Sequence, residues 1–316
     1  MILCCGESLI DFLPTEAGDG TPVYRPANGG SIHNVALALG RLDVPVGFVG
    51  GISTDFFGEG LAQGLARDGV SLTQVTRLDR PTTLAFVRFD GSEARYAFYD
   101  AQSADRHWRL ADMLALPDEV SALHFGCISL LRRPAAADFT ALMEREAGRL
   151  VIGFDANIRP NMVGPDDERD YRERLALFFR KAHIIKVSDA DLEWVAPGAD
   201  AAALAAEWLG QQARLVLLTR GGEGATLFAR GATLTRPARR VEVADTVGAG
   251  DSFMAGLLAA LHDRDRLDVA ALEGIGESGL AEILDFALAV AAITVSRVGA
   301  DPPRRADLAR FSGERG

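Results

Sequence analysis

Short apolar runs alternate with amphipathic stretches along most of this chain, and this alternation constrains the fold more than any other feature. The apolar runs are typical of buried strands, at 2–5, 45–50, 122–128, 150–155, 184–187, 215–219 and 225–229. Between them, the sequence predicts helices at 32–42, 57–68, 135–146, 170–181, 201–210, 252–262 and 280–295. Strands that alternate with helices favour a mostly parallel sheet with helices on both faces. We therefore predict an α/β fold.

Residues 82–100 break this alternation with a pattern of period two. The pattern runs up to a turn at Gly91-Ser92 and resumes after it, which predicts a β-hairpin. Residues 14–30 are rich in Gly, Pro, Thr and Ala, which predicts a loop with one exposed strand near Val23-Tyr24. Because no linker or repeat stands out, we predict a single domain over residues 1–316, with an exposed β element from about 14–28 and 82–100.

Composition and charge exclude several classes of function. Lys and Arg number 33 against 44 Asp and Glu, and the net charge of −11 repels the phosphates of nucleic acids and anionic membranes. Cys4, Cys5 and Cys127 lack metal-ligand spacing, which favours buried thiols in a reducing cytosol. Glu7 and Asp11 interrupt the apolar start, so no secretory signal is predicted. We expect a cytoplasmic protein with neither nucleic acid nor membrane as its partner.

The segment from Val243 to Phe253 carries the strongest chemical signal. Gly248 and Gly250 precede an amphipathic helix and permit a tight turn whose N–H groups point the same way. The positive end of the helix dipole adds to these donors, which gives a cradle for an anion. Asp251 lies in this cradle. It is either a helix cap or a general base that takes a proton from a hydroxyl during phosphoryl transfer.

Competing glycine motifs fit this segment less well. The spacing Gly248-x-Gly250 continues to Phe253, where a dinucleotide fingerprint has Gly or Ala. The sequence contains no Walker-type phosphate loop, zinc-protease motif or serine nucleophile elbow. A Rossmann-type NAD-dependent oxidoreductase is a remote alternative. It needs a Gly-x-Gly-x-x-Gly after the first strand, where Gly6 stands alone.

Two separated motifs resemble those of one family. Asp245-Thr246-Val247-Gly248-Ala249-Gly250-Asp251-Ser252-Phe253-x-Ala255-Gly256 closely resembles the C-terminal motif of the ribokinase-like (PfkB-type) carbohydrate kinases. Gly29-Gly30-x-x-x-Asn34-Val35-Ala36 resembles their N-terminal motif, at a helix start that Ser31 is expected to cap. The resemblance covers nearly the whole chain. It implies a ribokinase-like three-layer α/β/α domain with a small β lid, to which the hairpin at 82–100 belongs.

The resemblance assigns roles around a sugar. Asp251 would be the base, and the anion hole would be formed by Gly248, Ala249 and Gly250. The sugar would be held by Asp11, Gly30, Asn34, Phe98 and Arg159. Each of these has a plainer alternative. Asp11 suits a turn, Gly30 and Asn34 suit an ordinary helix start, Arg159 suits a surface ion pair, and the lid aromatics suit a dimer contact.

A site for MgATP is implied in the same way. Its residues would be Lys186, Ser188, Thr219, Gly221 and Gly224. Asp191 stands where many members carry Glu, one methylene longer, so its part in placing magnesium or phosphate is left open. A monovalent-cation site of relatives corresponds to Asp245 and the carbonyl of Val247, which makes activation by K⁺ an expectation.

Two further segments point to the substrate. Gly6-Glu7-x-Leu9-Ile10-Asp11-Phe12 and Asp155-x-Asn157-x-Arg159-Pro160 resemble the fructokinase branch. We therefore predict phosphorylation of fructose by ATP to fructose 6-phosphate. The alternative is a 2-keto-3-deoxygluconate kinase, because Arg159 suits an acidic sugar. The expected partners are the sugar, ATP and a second copy of the chain that pairs through the lid.

Overall fold

A computed structural model describes residues 1–90 and 93–313, so the turn predicted at Gly91-Ser92 lies outside the described residues. The strands are β1 (Ile2–Cys5), β2 (Leu9–Glu16), β3 (Pro22–Gly29), β4 (Val46–Ser53), β5 (Val75–Leu78), β6 (Thr83–Asp90), β7 (Glu93–Tyr99), β8 (Ala122–Gly126), β9 (Val151–Asp155), β10 (Ile184–Ser188), β11 (Leu215–Thr219), β12 (Ala225–Ala229) and β13 (Ala232–Arg236). The helices are α1 (Ser31–Arg41), α2 (Phe56–Arg67), α3 (Ala135–Glu146), α4 (Pro165–Lys181), α5 (Asp189–Val195), α6 (Ala201–Leu209), α7 (Ala249–His262), α8 (Val269–Glu273), α9 (Glu277–Val295) and α10 (Arg305–Gly313).

The large sheet has the strand order β13-β12-β11-β10-β9-β8-β1-β4-β5. From β11 to β5 all neighbouring strands are parallel, and β12 pairs antiparallel with both of its neighbours. Side chains of α1, α7 and α9 pack on one face, and those of α3, α4 and α6 on the other. The predicted mostly parallel sheet with helices on both faces is therefore what the chain forms. The parallel strands bring their carboxyl ends to one edge, where ligands of such sheets bind.

Burial on both faces explains the apolar strand sequences. Cys4 packs with the helices of one face and Cys5 with those of the other, because successive side chains of a strand point in opposite directions. Both are buried free thiols. Helix α9 is long and apolar enough to cross a membrane by length and composition alone. However, 56% of its apolar window is buried inside the fold, where α9 packs along α7.

The second sheet, with the strand order β3-β2-β6-β7, corrects the prediction for the first thirty residues. The stretch 14–30 is mostly strand, and β2 begins at Leu9, so the sheet includes residues before 14. Prolines make this stretch resemble a loop, but β3 is an edge strand, where a proline costs no ladder bond if its missing N–H would face away from β2. Pro14 is tolerated for a similar reason, because β6 pairs with β2 only as far as Phe12.

Helices α4, α7 and α9 begin three or more residues before their predicted starts, and the cap of α1 also differs from the prediction. Gly30, not Ser31, is the N-cap of α1, and it provides no side-chain cap. Helix α4 begins at Pro165, before the predicted residue 170. Proline is well suited to the first helical position, and the acidic side chains of the next residues favour the positive end of the helix dipole.

Candidate active site

Two clefts meet at the edge of the large sheet where the parallel strands end. The first, which we call the acidic cleft, has a volume of about 320 Å³ and is lined by Glu7, Asp11, Asp245 and Asp251 among others. The second, the apolar cleft, has a volume of about 470 Å³ and is lined largely by aliphatic side chains of α9 and of the segment after β13. Thr246, Ala249 and Gly250 line both clefts. The first turn of α7 is therefore their common wall.

Asp251 lies in that turn and is 7% exposed. Its Oδ1 accepts a hydrogen bond from Ser31 Oγ at 2.6 Å, and its Oδ2 accepts one from Asn34 Nδ2 at 2.8 Å. Asn157 Nδ2 lies 3.4 Å from Oδ1 and 2.9 Å from Ser31 Oγ. The Asp251 carboxylate thus accepts from α1 and from the loop after β9. Among the residues that the structure describes, no side chain caps helix α7, so the cap alternative for Asp251 is not supported.

The start of α7 is shaped by Gly248, its N-cap. This residue has a left-handed backbone with φ 75°, and an added Cβ would lie 2.7 Å from the Cβ of Ala300. The N–H of Ala249 donates to the carbonyl oxygen of Thr246 at 3.3 Å. The N–H groups of Gly248 and Gly250 have no backbone acceptor in the part of the chain that the structure describes. Together with the helix dipole, these donors suit an anion.

A buried ion pair lies behind the cradle. Lys186 Nζ donates to both carboxylate oxygens of Asp155, at 2.9 and 2.8 Å. Both side chains are almost wholly buried. Burial lowers the pKa of Lys186, but the neighbouring Asp155 outweighs it, and the net pKa is raised. Since a Cβ on Gly250 would lie 3.3 Å from Lys186 Nζ, the fixed positive charge sits directly beneath the anion cradle.

The sequence-predicted sugar residues come together in the acidic cleft. Asp11, Gly30, Asn34, Phe98 and Arg159 all line it, together with the predicted catalytic residues. Burial raises the pKa of Asp11 to about 6, Asp251 adds to the rise, and Arg159 opposes it. Phe98 stacks on Tyr96 of the same strand, and both rings line the cleft, as the period-two pattern predicts. The second sheet therefore covers this cleft with aromatic side chains.

The predicted nucleotide residues separate into two groups. Thr219, Gly221 and Gly224 line the apolar cleft, as expected from the resemblance. Among the described residues, Lys186 and Ser188 are not part of that lining. Ser188 is the N-cap of α5 and takes part in a capping box. Its location therefore does not support a direct contact with the nucleotide.

Asp191 has a structural position. Its Oδ2 accepts from Ser188 N at 2.8 Å and from Ser188 Oγ at 2.7 Å, and its Oδ1 accepts from Ile158 N at 2.7 Å. These bonds fix the start of α5 and the loop that carries Asn157 and Arg159. The shorter side chain thus ties two loops of the site together, and both of its oxygens already have partners.

The residues predicted to bind a monovalent cation, Asp245 and Val247, lie just before the N-terminus of α7. Asp245 Oδ1 accepts from Val247 N at 3.0 Å, and its Oδ2 accepts from Gly299 N at 2.9 Å. This carboxylate organises the loop before the anion cradle. In residues 1–90 and 93–313, no group of three or more His, Cys, Asp or Glu side chains is placed to hold a metal ion.

Ser31, Asn157 and Glu7 belong to the site, although the sequence analysis assigns none of them a chemical role. Ser31 resembles a helix cap, but its hydroxyl donates a hydrogen bond to Asp251 instead. Asn157 is marked in the structure by its backbone conformation, since a φ of 37° is unusual for a residue other than glycine. Glu7 is 1% exposed and lines the acidic cleft.

A family model described as pfkB family carbohydrate kinase matches residues 1–307 of this sequence. The chain belongs to this family. It is a phosphotransferase that acts on a sugar hydroxyl, which confirms the resemblance and rules out the Rossmann oxidoreductase. The predicted ribokinase-like α/β fold is confirmed as well, by the solved structures that it matches.

Named relatives are similar over most of the kinase. A fructokinase of Rhizobium leguminosarum bv. trifolii is 42% identical over 280 residues, which cover 89% of this chain and 85% of the relative. Fructokinase-1 of Oryza sativa subsp. japonica is 34% identical, and the match covers 96% of this chain and 94% of the relative. A crystal structure of a fructokinase from Xylella fastidiosa with bound ATP superposes with a TM-score of 0.90. It is 30% identical and covers 99% of this chain and 98% of that one.

Proposed function

We propose that this kinase transfers the γ-phosphoryl group of ATP to fructose and releases fructose 6-phosphate. The observation that carries the proposal is the position of Asp251, which lines the acidic cleft and directly follows Ala249 and Gly250, the residues of α7 that line both clefts. A hydroxyl bound on one side and a phosphoryl group bound on the other would face each other across the first turn of α7. The relatives named fructokinase support the choice of sugar.

In the proposed reaction, the sugar lies in the acidic cleft with its primary hydroxyl against Asp251. Asp251 takes the hydroxyl proton, the sugar oxygen forms a bond to the γ-phosphorus, and the bond to the β–γ bridging oxygen breaks to release ADP. The N–H groups of Gly248 and Gly250 receive the charge on the transferring group, and Lys186 adds a fixed positive charge. Little covalent chemistry falls to the protein, so positioning dominates.

The apolar cleft fits the nucleotide base and ribose, with Thr219, Gly221 and Gly224 at its edge. Magnesium would enter with the ATP phosphates, since this ion keeps several waters and needs few protein ligands. The carboxylates of Asp155 and Asp191 already have partners on the chain, which agrees with an ion held chiefly by phosphate and water. Activation by K⁺ near Asp245 and Val247 stays a prediction, tested by rates in K⁺ against Na⁺.

A neutral sugar suits this cleft better than an acidic one. Asp11, Asp245 and Asp251 line it, and Arg159 is the one cationic side chain among its described lining residues. Nη1 of Arg159 donates to Asn157 Oδ1 at 2.6 Å and to the backbone carbonyls of Asn157 and Ile158. A sugar carboxylate would therefore meet several like charges. This argues for fructose over 2-keto-3-deoxygluconate.

The test is an ATP-coupled assay across fructose, 2-keto-3-deoxygluconate, ribose and a nucleoside, with kcat/KM measured for each. We expect fructose to have the highest kcat/KM. Strong turnover of the acidic sugar beside none of fructose would overturn the choice. A thermal shift with ATP but none with NAD is the matching binding control.

We also propose that the second sheet is the lid of a single kinase domain, and that its outer face pairs with a second copy. Phe12 stacks on Phe86 at 4.6 Å, and Tyr24 and Tyr99 meet Phe86 edge-on. Tyr24 is 47% and Tyr99 is 66% exposed, which leaves an aromatic face open to a partner. Sedimentation should give a dimer that Tyr99→Glu converts to monomer. A monomeric wild type would refute the pairing.

A cytoplasmic location stays a prediction, in keeping with the buried thiols of Cys4 and Cys5.

A further inference from the structure

Glu7 lies in the loop that joins the two sheets, between the end of β1 and the start of β2. It is 1% exposed, although it is a carboxylic acid with no paired cation in the described part of the chain. It lines the acidic cleft, and it also lines a small separate cavity of about 20 Å³. The proposed reaction gives this residue no role.

One oxygen of Glu7 holds the start of α1. Glu7 Oε1 accepts the N–H of Ile32 at 3.2 Å. This N–H belongs to the first turn of α1, whose donors have no intrahelical acceptor, and the N-cap Gly30 provides no side-chain acceptor. A Cβ on Gly30 would lie 3.1 Å from the carbonyl oxygen of Glu7, so the two segments are in close contact. Glu7 therefore replaces the missing cap.

The same turn of α1 holds the catalytic base. Ser31 and Asn34, on either side of Ile32, donate to the two oxygens of Asp251 at 2.6 and 2.8 Å. A shift of this turn would move both donors together. Since Asp251 has to face a hydroxyl and a phosphoryl group at once, a displacement of about 1 Å costs up to roughly a hundred-fold in rate.

The small cavity that Glu7 lines lies near the start of β6 in the second sheet. Glu7 Oε2 has no hydrogen-bond partner among the described residues, and the same is true of Arg106 Nε. Both residues line the small cavity, as does Asp105, whose Oδ1 accepts from Thr83 Oγ1 at 2.7 Å at the start of β6. The cavity volume of about 20 Å³ is enough for one water molecule. Such a water would satisfy both unpaired atoms.

We propose that Glu7 is a positioning residue for phosphoryl transfer. Through Ile32 it fixes the turn of α1 that holds Asp251, and through one buried water at Arg106 it ties that turn to the base of the second sheet. The position of the second sheet and the position of the catalytic base Asp251 are thereby linked. This inference rests on the proposed function, because its main readout is sugar phosphorylation.

The test compares kcat and KM in Glu7→Ala and Glu7→Gln. We expect Glu7→Ala to lower kcat about ten- to a hundred-fold, with the KM for ATP within about two-fold of wild type, because the apolar cleft is untouched. Glu7→Gln keeps an oxygen that can accept from Ile32, so it should restore kcat to within about three-fold of wild type. Glu146→Gln, which changes a buried acid of α3, is the matched control and should leave both constants unchanged.

Several outcomes would overturn the proposal. Full kcat in Glu7→Ala would show that Ile32 needs no acceptor. Equal losses in Glu7→Ala and Glu7→Gln would show that the hydrogen bond to Ile32 is not what matters. If Glu7→Ala does not fold, Glu7→Asp provides the comparison. Its shorter side chain withdraws the oxygen, and unchanged kcat would contradict the role.

The bridging water has its own readout. A high-resolution crystal structure should show one ordered water within hydrogen-bond distance of Glu7 Oε2 and Arg106 Nε, and an empty cavity would refute the link. The wild type is assayed first on fructose. Its failure there refutes the proposed function, whereas unchanged variants beside an active wild type refute only the role of Glu7.

Discussion

Replacing Asp251 by Asn removes the base and preserves most of its surroundings. The amide keeps one oxygen to accept from Asn34, and the Ser31 hydroxyl can rotate to accept from the new NH₂ group. Two hydrogen bonds to a charged acceptor become neutral, but a buried charge with no directly bonded cation in the described part of the chain is removed at the same time. We therefore expect the free energy of unfolding to change by no more than about 1 kcal/mol.

The effect of Asp251→Asn on turnover should be far larger. A positioned general base contributes about 10²- to 10⁴-fold to the rate. At 1.36 kcal/mol for each factor of ten, that is about 3 to 5 kcal/mol of barrier. The assay is ADP release in the presence of fructose, with calorimetric titration of fructose and ATP to show that both still bind.

A milder variant tests the same effect on turnover at a smaller magnitude. Ser31→Ala removes the 2.6 Å donor to Asp251 but keeps the carboxylate, so we expect an intermediate loss of about ten-fold. If Asp251→Asn keeps more than about a tenth of the wild-type kcat, Asp251 is not the base and the reasoning fails.

Three further predictions concern residues around the site. Burial raises the pKa of Glu7 from 4.5 to about 7. The contribution of Glu7 to the free energy of unfolding is therefore complete below pH 4.5 and lost as the pH rises through 7. Urea titrations measure the difference in unfolding free energy between the wild type and Glu7→Gln. From pH 4 to pH 8 this difference should shift by about 3 kcal/mol in favour of Glu7→Gln. A difference that does not change with pH would contradict this. Lys186→Met leaves Asp155 buried without its partner and should cost about 3–5 kcal/mol in the same titration, most of it regained when Asp155→Leu is added. Gly248→Ala forces a side chain onto a residue with a left-handed backbone and should lower kcat at least about ten-fold. Its control is Gly60→Ala, in open space within α2, which should leave kcat unchanged and stabilise the folded protein by about 0.5–1 kcal/mol. Equal activity of the two glycine variants would count against the shape assigned to the anion cradle.

The large sheet follows from the sequence because its strands are buried on both faces. Such strands have continuous apolar sequences, as at Val151–Asp155, and these differ clearly from the helices between them. Edge strands carry a weaker signal. Pro22–Gly29 contains two prolines, and only its position at the edge of the second sheet allows them. That position depends on pairing with β2, which local sequence does not reveal.

The candidate site divides along a similar line. Asp251 and the glycines around it are predictable, because anion cradles need a local run of N–H groups at a helix start. The partners of Asp251 are not predictable in this way. Ser31 resembles a cap by every local rule, yet its hydroxyl bonds to a carboxylate 220 positions away in the chain. Asp191 shows the converse, since its bond to Ile158 depends on how two neighbouring strands end.

Phosphorus NMR of the reaction mixture tests the central claim most directly. Wild-type enzyme, MgATP and fructose should convert the ATP signals to those of ADP with one equivalent of a phosphomonoester, and coupling to the protons on C6 should identify fructose 6-phosphate. ATP converted to ADP and free inorganic phosphate, or a sugar phosphate formed only from an acidic sugar, would contradict the account.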